Sequence, residues 1–487
     1  MVRQSINEQM LFGEVDVSKV VIDERSRDDI PQILIGLQQI YQDKQARKKI
    51  FSVLEKEVLS SRSLDNGRPG MNLWKVFVLG TLRLNINCDY DRLVELANNH
   101  STLREMLGHG EFNKSKYALQ TVKDNIGLLT AEILSEINTA VVEFGHNLCK
   151  KKSTEIFAKC DSFVLETNVH YPTDLGLLFD STRKAIQLTV DICKGLGMSD
   201  FRQSQYNVRS VKRSMRKLQK LRRSKSKDEK KAAKRAIEIE KQCNAYLDIC
   251  QQNIGRVRDF KCFILENNLE EAEKISEIDR FVKHADCFMD QIRRRIIQGE
   301  SIPHEEKVFS VFEEHTEWIS KGKAGVPVEL GLRVAIVEDQ LGFILHHKVL
   351  QQDTDDKIAV PIIQETQELF PRLEGCSFDK GFYSPENQEE LSNLLNLVVL
   401  PKKGKLSKKQ REVEQSNDFR LKRQKHSAVE SGINALEVHG LDRCPDKGLD
   451  HFKLYTAIAV TARNLQKIGA LVQKSKRKAA ARLKKAG

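Results

Sequence analysis

The sequence predicts an α/β protein whose strand–helix core is interrupted by a large all-helical excursion and preceded by a helical domain. Three observations lead there. Apolar residues recur at three- and four-residue spacing from the start to about residue 145. Short β-rich runs appear on both sides of a long, charged, helical stretch. Beyond residue 332, strand and helix patterns alternate, as they do in layered α/β folds. At 487 residues the chain exceeds one ordinary core. The expected domains are a helical N-terminal domain (1–145), the first part of an α/β core (146–199), a basic helical insertion (200–303), the remainder of the core (304–473) and a basic tail (474–487).

The N-terminal domain reads as helices over residues 30–41, 49–59 and 73–84, the last two parted by the turn DNGRPG at 65–70. Shorter helices follow at 89–98, 103–107 and 119–129. Phe163, Val164 and Val169 mark a strand over 157–169 before the turn YPTD at 171–174. A helix over 177–196 leads into the most basic stretch. There Arg213, Arg216, Lys217 and Lys220 stand among many further cations, opposed only by Asp228 and Glu229. Such runs are often solvated charged helices. Here Val211, Met215 and Leu218 imply one packed face and leave the other free for phosphates. The insertion reads as a long antiparallel helix pair ending near Gly299.

Strands return at 317–320, 332–338 and 342–349, the last two joined as a hairpin. A helix (358–369), a strand (375–379), a helix (386–395) and a buried strand (397–400) follow. Ser384 and Pro385 supply the cap and first-turn proline of the second of these helices. One helix is expected over 409–439 and a last one over 452–471. The tail carries only basic charge and is expected to be disordered alone and to adhere to DNA.

Lys and Arg number 80 against 68 Asp and Glu, a formal excess of +12 that favours a polyanionic partner. The ten cysteines form no Cys-x-x-Cys pair and no zinc-finger spacing, so reduced thiols in a cytosolic protein are expected. The polar first residues and the lack of a long apolar run argue against a signal peptide and a membrane span.

Asp379 ends a short strand and is followed at once by Lys380 and Gly381, so one carboxylate is presented at a sheet edge. Asp161 reads the same way. Glu430 borders the apolar stripe of Val429, Ile433 and Leu436, which turns it toward the sheet while its neighbours pack. Three such carboxylates suit two divalent cations for phosphoryl transfer. Singly, each is more often a cap, turn or surface acid. Glu166, Asp174, Asp339, Asp355, Asp356, Asp442 and, beside Glu430, Glu437 compete with them, and spacing does not choose.

The blocks DSFVLETNVHYPTD (161–174), DKGFYSPE (379–386) and VESGINAL (429–436) with GLDR (440–443) resemble the signature blocks of the DDE transposases of bacterial insertion sequences. GRPG (67–70) with the helix after it resembles their N-terminal domain. EHTEWISKGK (314–323) and PKKGK (401–405) point to the not-yet-classified (ISNCY) group among them. The resemblance implies an RNase H-like core, a mixed sheet flanked by helices, with Asp161, Asp379 and Glu430 as catalytic and metal-binding residues. It implies two Mg²⁺ ions, with Mn²⁺ able to substitute, cutting DNA at the element's ends. The freed 3′-OH then attacks target DNA, with no covalent enzyme intermediate. Double-stranded DNA is the implied partner, the working form a homodimer because two ends are handled together, and the location the bacterial cytoplasm near the nucleoid. The other readings are a domesticated DNA-binding protein without catalysis and a related nuclease without strand transfer.

One departure stands out. Related enzymes often carry Arg four residues before the Glu and Lys seven after it, where this chain has His426 and Glu437. The terminal-phosphate role then falls to Lys402, Lys403 or Lys405. Trp318, near Lys321 and Lys323, reads first as a half-buried strand aromatic and second as a stacking platform for an unpaired base.

Overall fold

The computed structural model describes residues 13–59, 70–149, 155–199, 201–223, 228–267, 272–320 and 328–486. Most of the turn expected at 65–70, and Lys321 and Lys323, lie outside them. The fold is mixed α/β and mostly helical, with an open mixed sheet. The chain divides into two compact units, Met1–Asn168 with Ile319–Gly487, and Val169–Trp318.

The first unit opens with α1 (Ile30–Gln42), α2 (Lys44–Leu59), α3 (Leu73–Asn85), α4 (Tyr90–Asn99), α5 (Ser101–Met106), α6 (Leu119–Ile126) and α7 (Ala131–Leu148). Side-chain caps set several starts: Asn72, Asp89 and Thr130 accept from the backbone N–H of Trp74, Arg92 and Ile133. Strand β1 (Ile156–Thr167) follows, and the second unit then departs from the sheet.

That second unit contains α8 (Asp174–Gly195), α9 (Ser204–Arg223), α10 (Glu229–Asn267) and α11 (Ala272–Ile292). The expected antiparallel pair is in fact a body of four long helices around its own core, which includes Leu178, Ile186, Leu218, Tyr246, Phe281 and Phe288. It begins at Val169 rather than at residue 200, because the apolar face of α8 is buried in this core and not against the sheet.

The chain returns through β2 (Glu317–Ser320), β3 (Val328–Asp339), β4 (Ile344–Val349), α12 (Asp355–Leu369), β5 (Leu373–Phe378), α13 (Pro385–Leu394) and β6 (Leu397–Val399). The strand order is β2-β3-β1-β5-β6, with β4 also paired to β3. β3 runs antiparallel to β1 and to β4, whereas β5 is parallel to β1 and β6 to β5. Leu332, Val334, Ala335, Ile336 and Val337 of β3 are all buried, as in a strand covered on both faces. Ser384 caps α13 through the N–H of Asn387, with Pro385 in the first turn.

The helix expected over 409–439 is three: α14 (Lys408–Gln415), α15 (Asn417–His426) and α16 (Ala428–Leu436). Ser407 caps the start of the run, Ser416 caps the second helix and so parts it from the first, and Ser427 stands between the second and third. A short strand β7 (Arg443–Cys444) pairs with β1, and α17 (Leu449–Ala486) closes the chain. The tail is therefore a continuation of α17 rather than disordered, as its run of good helix formers permits.

The N-terminal helices are not set apart from the sheet. α17 packs against α1, α3 and α7, and one continuous core includes Leu34, Phe77, Val141, Ile336, Phe378 and Ile458. Arg83 of α3 makes a two-pronged ion pair with Asp446 (2.8 and 2.7 Å), and His146 of α7 meets buried Asp339 at 2.6 Å. Among the described residues, no helix is long and apolar enough to cross a membrane.

Candidate active site

The site lies where the sheet loses a strand. β5 pairs with β1 through Cys160↔Phe378 and then stops, and β7 joins β1 only at Glu166↔Arg443. Between those points β1 has no strand partner on that side among the described residues, and Asp161 stands at the start of the gap. Asp379 directly follows the last paired residue of β5 and is exposed. The two carboxylates thus occupy neighbouring positions on adjacent parallel strands, whose backbones are spaced by about 4.8 Å. Asp379 ends its strand as expected. Asp161 does not: β1 continues to Thr167, and Asp161 is reached from solvent because β5 is short.

The third expected carboxylate comes from α16. Val429 and Leu436 are buried, Ile433 packs partly against the core, and Glu430 is exposed in the first turn. The helix is seated closely, because a Cβ on Gly432 would overlap the carboxylate of Glu338 on β3. Glu338 is itself buried and accepts a 2.7 Å hydrogen bond from Lys159, directly opposite it on β1.

A fourth carboxylate joins them. Asp355, in the first turn of α12, accepts from the Ser162 hydroxyl at 2.7 Å. Burial, and behind it the charges of Asp379, Asp355 and Glu430, pushes the Asp161 carboxyl up to about 6, although the Ser162 N–H (2.8 Å) pulls it down. Glu437 is exposed where α16 passes directly into a π-helical turn (Glu437–Leu441), whereas Glu430 is one of the charges that raise Asp161.

Ion pairing separates these acids from three of their rivals, Asp339, Glu166 and Asp174. Among the described residues, Asp339 pairs with His146, Glu338 with Lys159, Glu166 with Arg443 and Asp174 with Arg295. Asp161, Asp379, Asp355 and Glu430 pair with no cation among the described residues. Also among the described residues, no three His, Cys, Asp or Glu side chains stand in metal-coordinating geometry. The four form a loose, mutually repelling cluster.

His426 ends α15. Its Nδ1 lies 3.0 Å from Ser377 Oγ, and its buried Nε2 has no hydrogen-bond partner. Burial holds the ring below its ordinary pKa against the pull of Asp379. In the loop after β6, Lys402 is half-buried and donates to Gln410 at 2.9 Å, whereas Lys403 and Lys405 are exposed. Arg213, Arg216, Lys217 and Lys220 are exposed on α9, opposite its buried Val211, Met215 and Leu218. Trp318 is half-buried in β2 between the rings of Tyr171 and Phe309.

Sequence reasoning had Asp355 only as one competitor among several. Its local signal, Thr354 before two acids, is that of any helix start. No family model, no curated protein and no solved structure matches this chain.

Proposed function

We propose that the chain is a DDE-type transposase: a divalent-metal-dependent phosphoryl-transfer enzyme acting on double-stranded DNA, with Asp161, Asp379 and Glu430 as its acidic residues. The observation that carries this reading is the set of carboxylates, free of cation partners, at the gap between β5 and β7. A mixed sheet, antiparallel on one side of β1 and parallel on the other, with helices against it, is consistent with the RNase H-like core that the sequence blocks imply.

The residues suit Mg²⁺ or Mn²⁺ in their chemistry. All donors are hard oxygens, and burial, with the charges of Asp379, Asp355 and Glu430 behind it, already raises Asp161. Asp161, Asp379 and Glu430 would hold the metal, with Asp355 next to them. When bound, such ions supply a nucleophilic water at neutral pH and charge stabilisation on phosphate. The chain's own residues provide the frame. Strand backbones fix Asp161 and Asp379, Ser162 orients Asp355, and the packing of Gly432 on Glu338 fixes the height of Glu430. Lys402, Lys403 or Lys405 would take the role of the phosphate-binding Lys whose position Glu437 holds, and Lys403 and Lys405 are exposed. Two ends handled together call for a homodimer, working in the bacterial cytoplasm.

The test is Mg²⁺-dependent nicking of supercoiled plasmid. Wild-type protein should nick, and both Asp161→Asn and Asp379→Asn should abolish nicking while keeping duplex binding. Nicking retained by both variants would overturn the assignment. Nicking without joining of a labelled 3′ end to a second plasmid would indicate a nuclease that does not transfer strands.

A further inference from the structure

The helical unit has a cleft of its own, with a volume of about 550 Å³. Every residue lining it belongs to Val169–Trp318. One wall is aromatic. Trp318 meets Phe309 at 5.6 Å between ring centroids, tilted by 36°, and Tyr171 edge-on at 5.7 Å. Tyr171 is 65% exposed, an unusual position for a large ring already in contact with another. The other wall is cationic. Arg222 and Arg223 come from the end of α9, and Lys307 from the segment before Phe309. All three are exposed, and none is ion-paired among the described residues. Asp174 is the only acid lining the cleft, and it is neutralised by Arg295 at 2.8 Å.

Flat apolar rings and cations without an ion-pair partner among the described residues, lining one cavity, match a ligand that is planar at one end and anionic at the other. We propose that this cleft binds a nucleotide unit whose base is unpaired, as in a single strand. The base lies against Trp318 and Tyr171, and the phosphates lie on Arg222, Arg223 and Lys307. Base–aromatic stacking tolerates any sequence, and a duplex, with its bases already stacked, cannot offer one to the wall. The same chemistry could come from a free nucleotide. The carboxylate site plays no part in this binding, so it persists without metal.

The chain has two tryptophans, and Trp74 is buried in the N-terminal helices, where it donates to the Met106 carbonyl at 2.8 Å. Trp318 therefore reports on the cleft. The experiment titrates full-length Asp161→Asn protein in EDTA with oligo-dT, a blunt duplex and dTMP while following tryptophan fluorescence. Oligo-dT should quench, and the signal should vanish in Trp318→Phe. Arg222→Ala/Arg223→Ala should weaken oligo-dT on the order of tenfold or more, with Trp74 emission unchanged. Quenching by dTMP as tight as by oligo-dT would overturn the single strand as the source and make the free nucleotide the ligand. No quenching, or equal quenching by duplex, would overturn the site. Because metal and Asp161 are both removed, neither result depends on whether the carboxylates catalyse.

Discussion

Asp161 carries an energetic signature that can be read without any substrate. Its carboxyl is raised from an ordinary 3.8 to about 6, first by burial and then by three neighbouring carboxylates. The folded state thus holds the proton more tightly than the unfolded chain. That stabilisation is complete below about pH 4, is lost as pH rises through about 6, and is absent above. The difference corresponds to about 3 kcal/mol. In EDTA at pH 8, Asp161→Asn should therefore be more stable than wild type by about 1–3 kcal/mol, and the two should converge toward pH 4. Thermal unfolding at both values measures this, and Mg²⁺ should then raise the melting temperature of wild type but not of the variant. A variant less stable than wild type at pH 8 would contradict the repulsion described here. The same residue shows what local sequence holds and what it does not. Asp379 was legible because Lys380, Gly381, Ser384 and Pro385 stop its strand. The access to Asp161 is created by the shortness of β5, a property of a strand more than two hundred residues away. Glu430 could not be separated from Glu437 by periodicity, since residues seven apart share a helix face; in the fold the α-helix passes into a π-helical turn at Glu437, and the chain kinks at His439 and Gly440.

Helix crossings show where side-chain size is limiting. α1 and α17 meet backbone to backbone: a Cβ on Gly36 would overlap the Leu465 carbonyl, and one on Gly469 the Gln32 carbonyl. Neither obstacle is a flexible side chain that could swing aside. Gly36→Ala and Gly469→Ala should each destabilise the first unit by about 1–3 kcal/mol or more, read as a lower urea midpoint. Gly255, inside α10 with nothing near its Cβ, is the contrast. Its change to Ala should stabilise by about 0.5–1 kcal/mol through helix propensity alone. Elements of this kind were largely readable. Apolar spacing located most helices, and β-branched runs located the strands. The exceptions have physical causes. Ser416 divides a stretch whose charged residues suit one long helix, because a serine can cap as readily as it can sit exposed on a helix. The tail stays helical because α17 is already nucleated by its packing on α1, α3 and α7, so each added residue only extends it.

At the scale of the whole chain, charge is arranged more strongly than its net value suggests. The excess of +12 is modest for 487 residues, but α9 concentrates cations on one face while Val211, Met215 and Leu218 anchor the other in the helical core. Arg213, Arg216, Lys217 and Lys220 follow the i, i+3, i+4, i+7 spacing of a single helix face. This arrangement was visible in the sequence, because an amphipathic helix carries its own evidence. Division into units was not: whether α8 packs on the sheet or on α9–α11, and whether α17 unites the N-terminal helices with the sheet, depends on contacts between distant segments. The α9 face makes a quantitative prediction about DNA. Each phosphate neutralised by a lysine or arginine releases counterions and adds about 0.9 to the slope of log affinity against log salt on duplex DNA. If all four cations touch phosphate, changing them together to Gln should lower that slope by about 3–4. Affinity at low salt should fall by orders of magnitude, whatever the sequence of the duplex. Anisotropy titrations of a labelled duplex over a range of salt concentrations give the slope directly. The Asp161→Asn variant, which removes a negative charge from the other unit, should leave it unchanged. A slope that survives the fourfold change would mean that α9 is only a solvated charged helix, and the phosphate contacts would then have to be sought at Lys403, Lys405 and the basic end of α17.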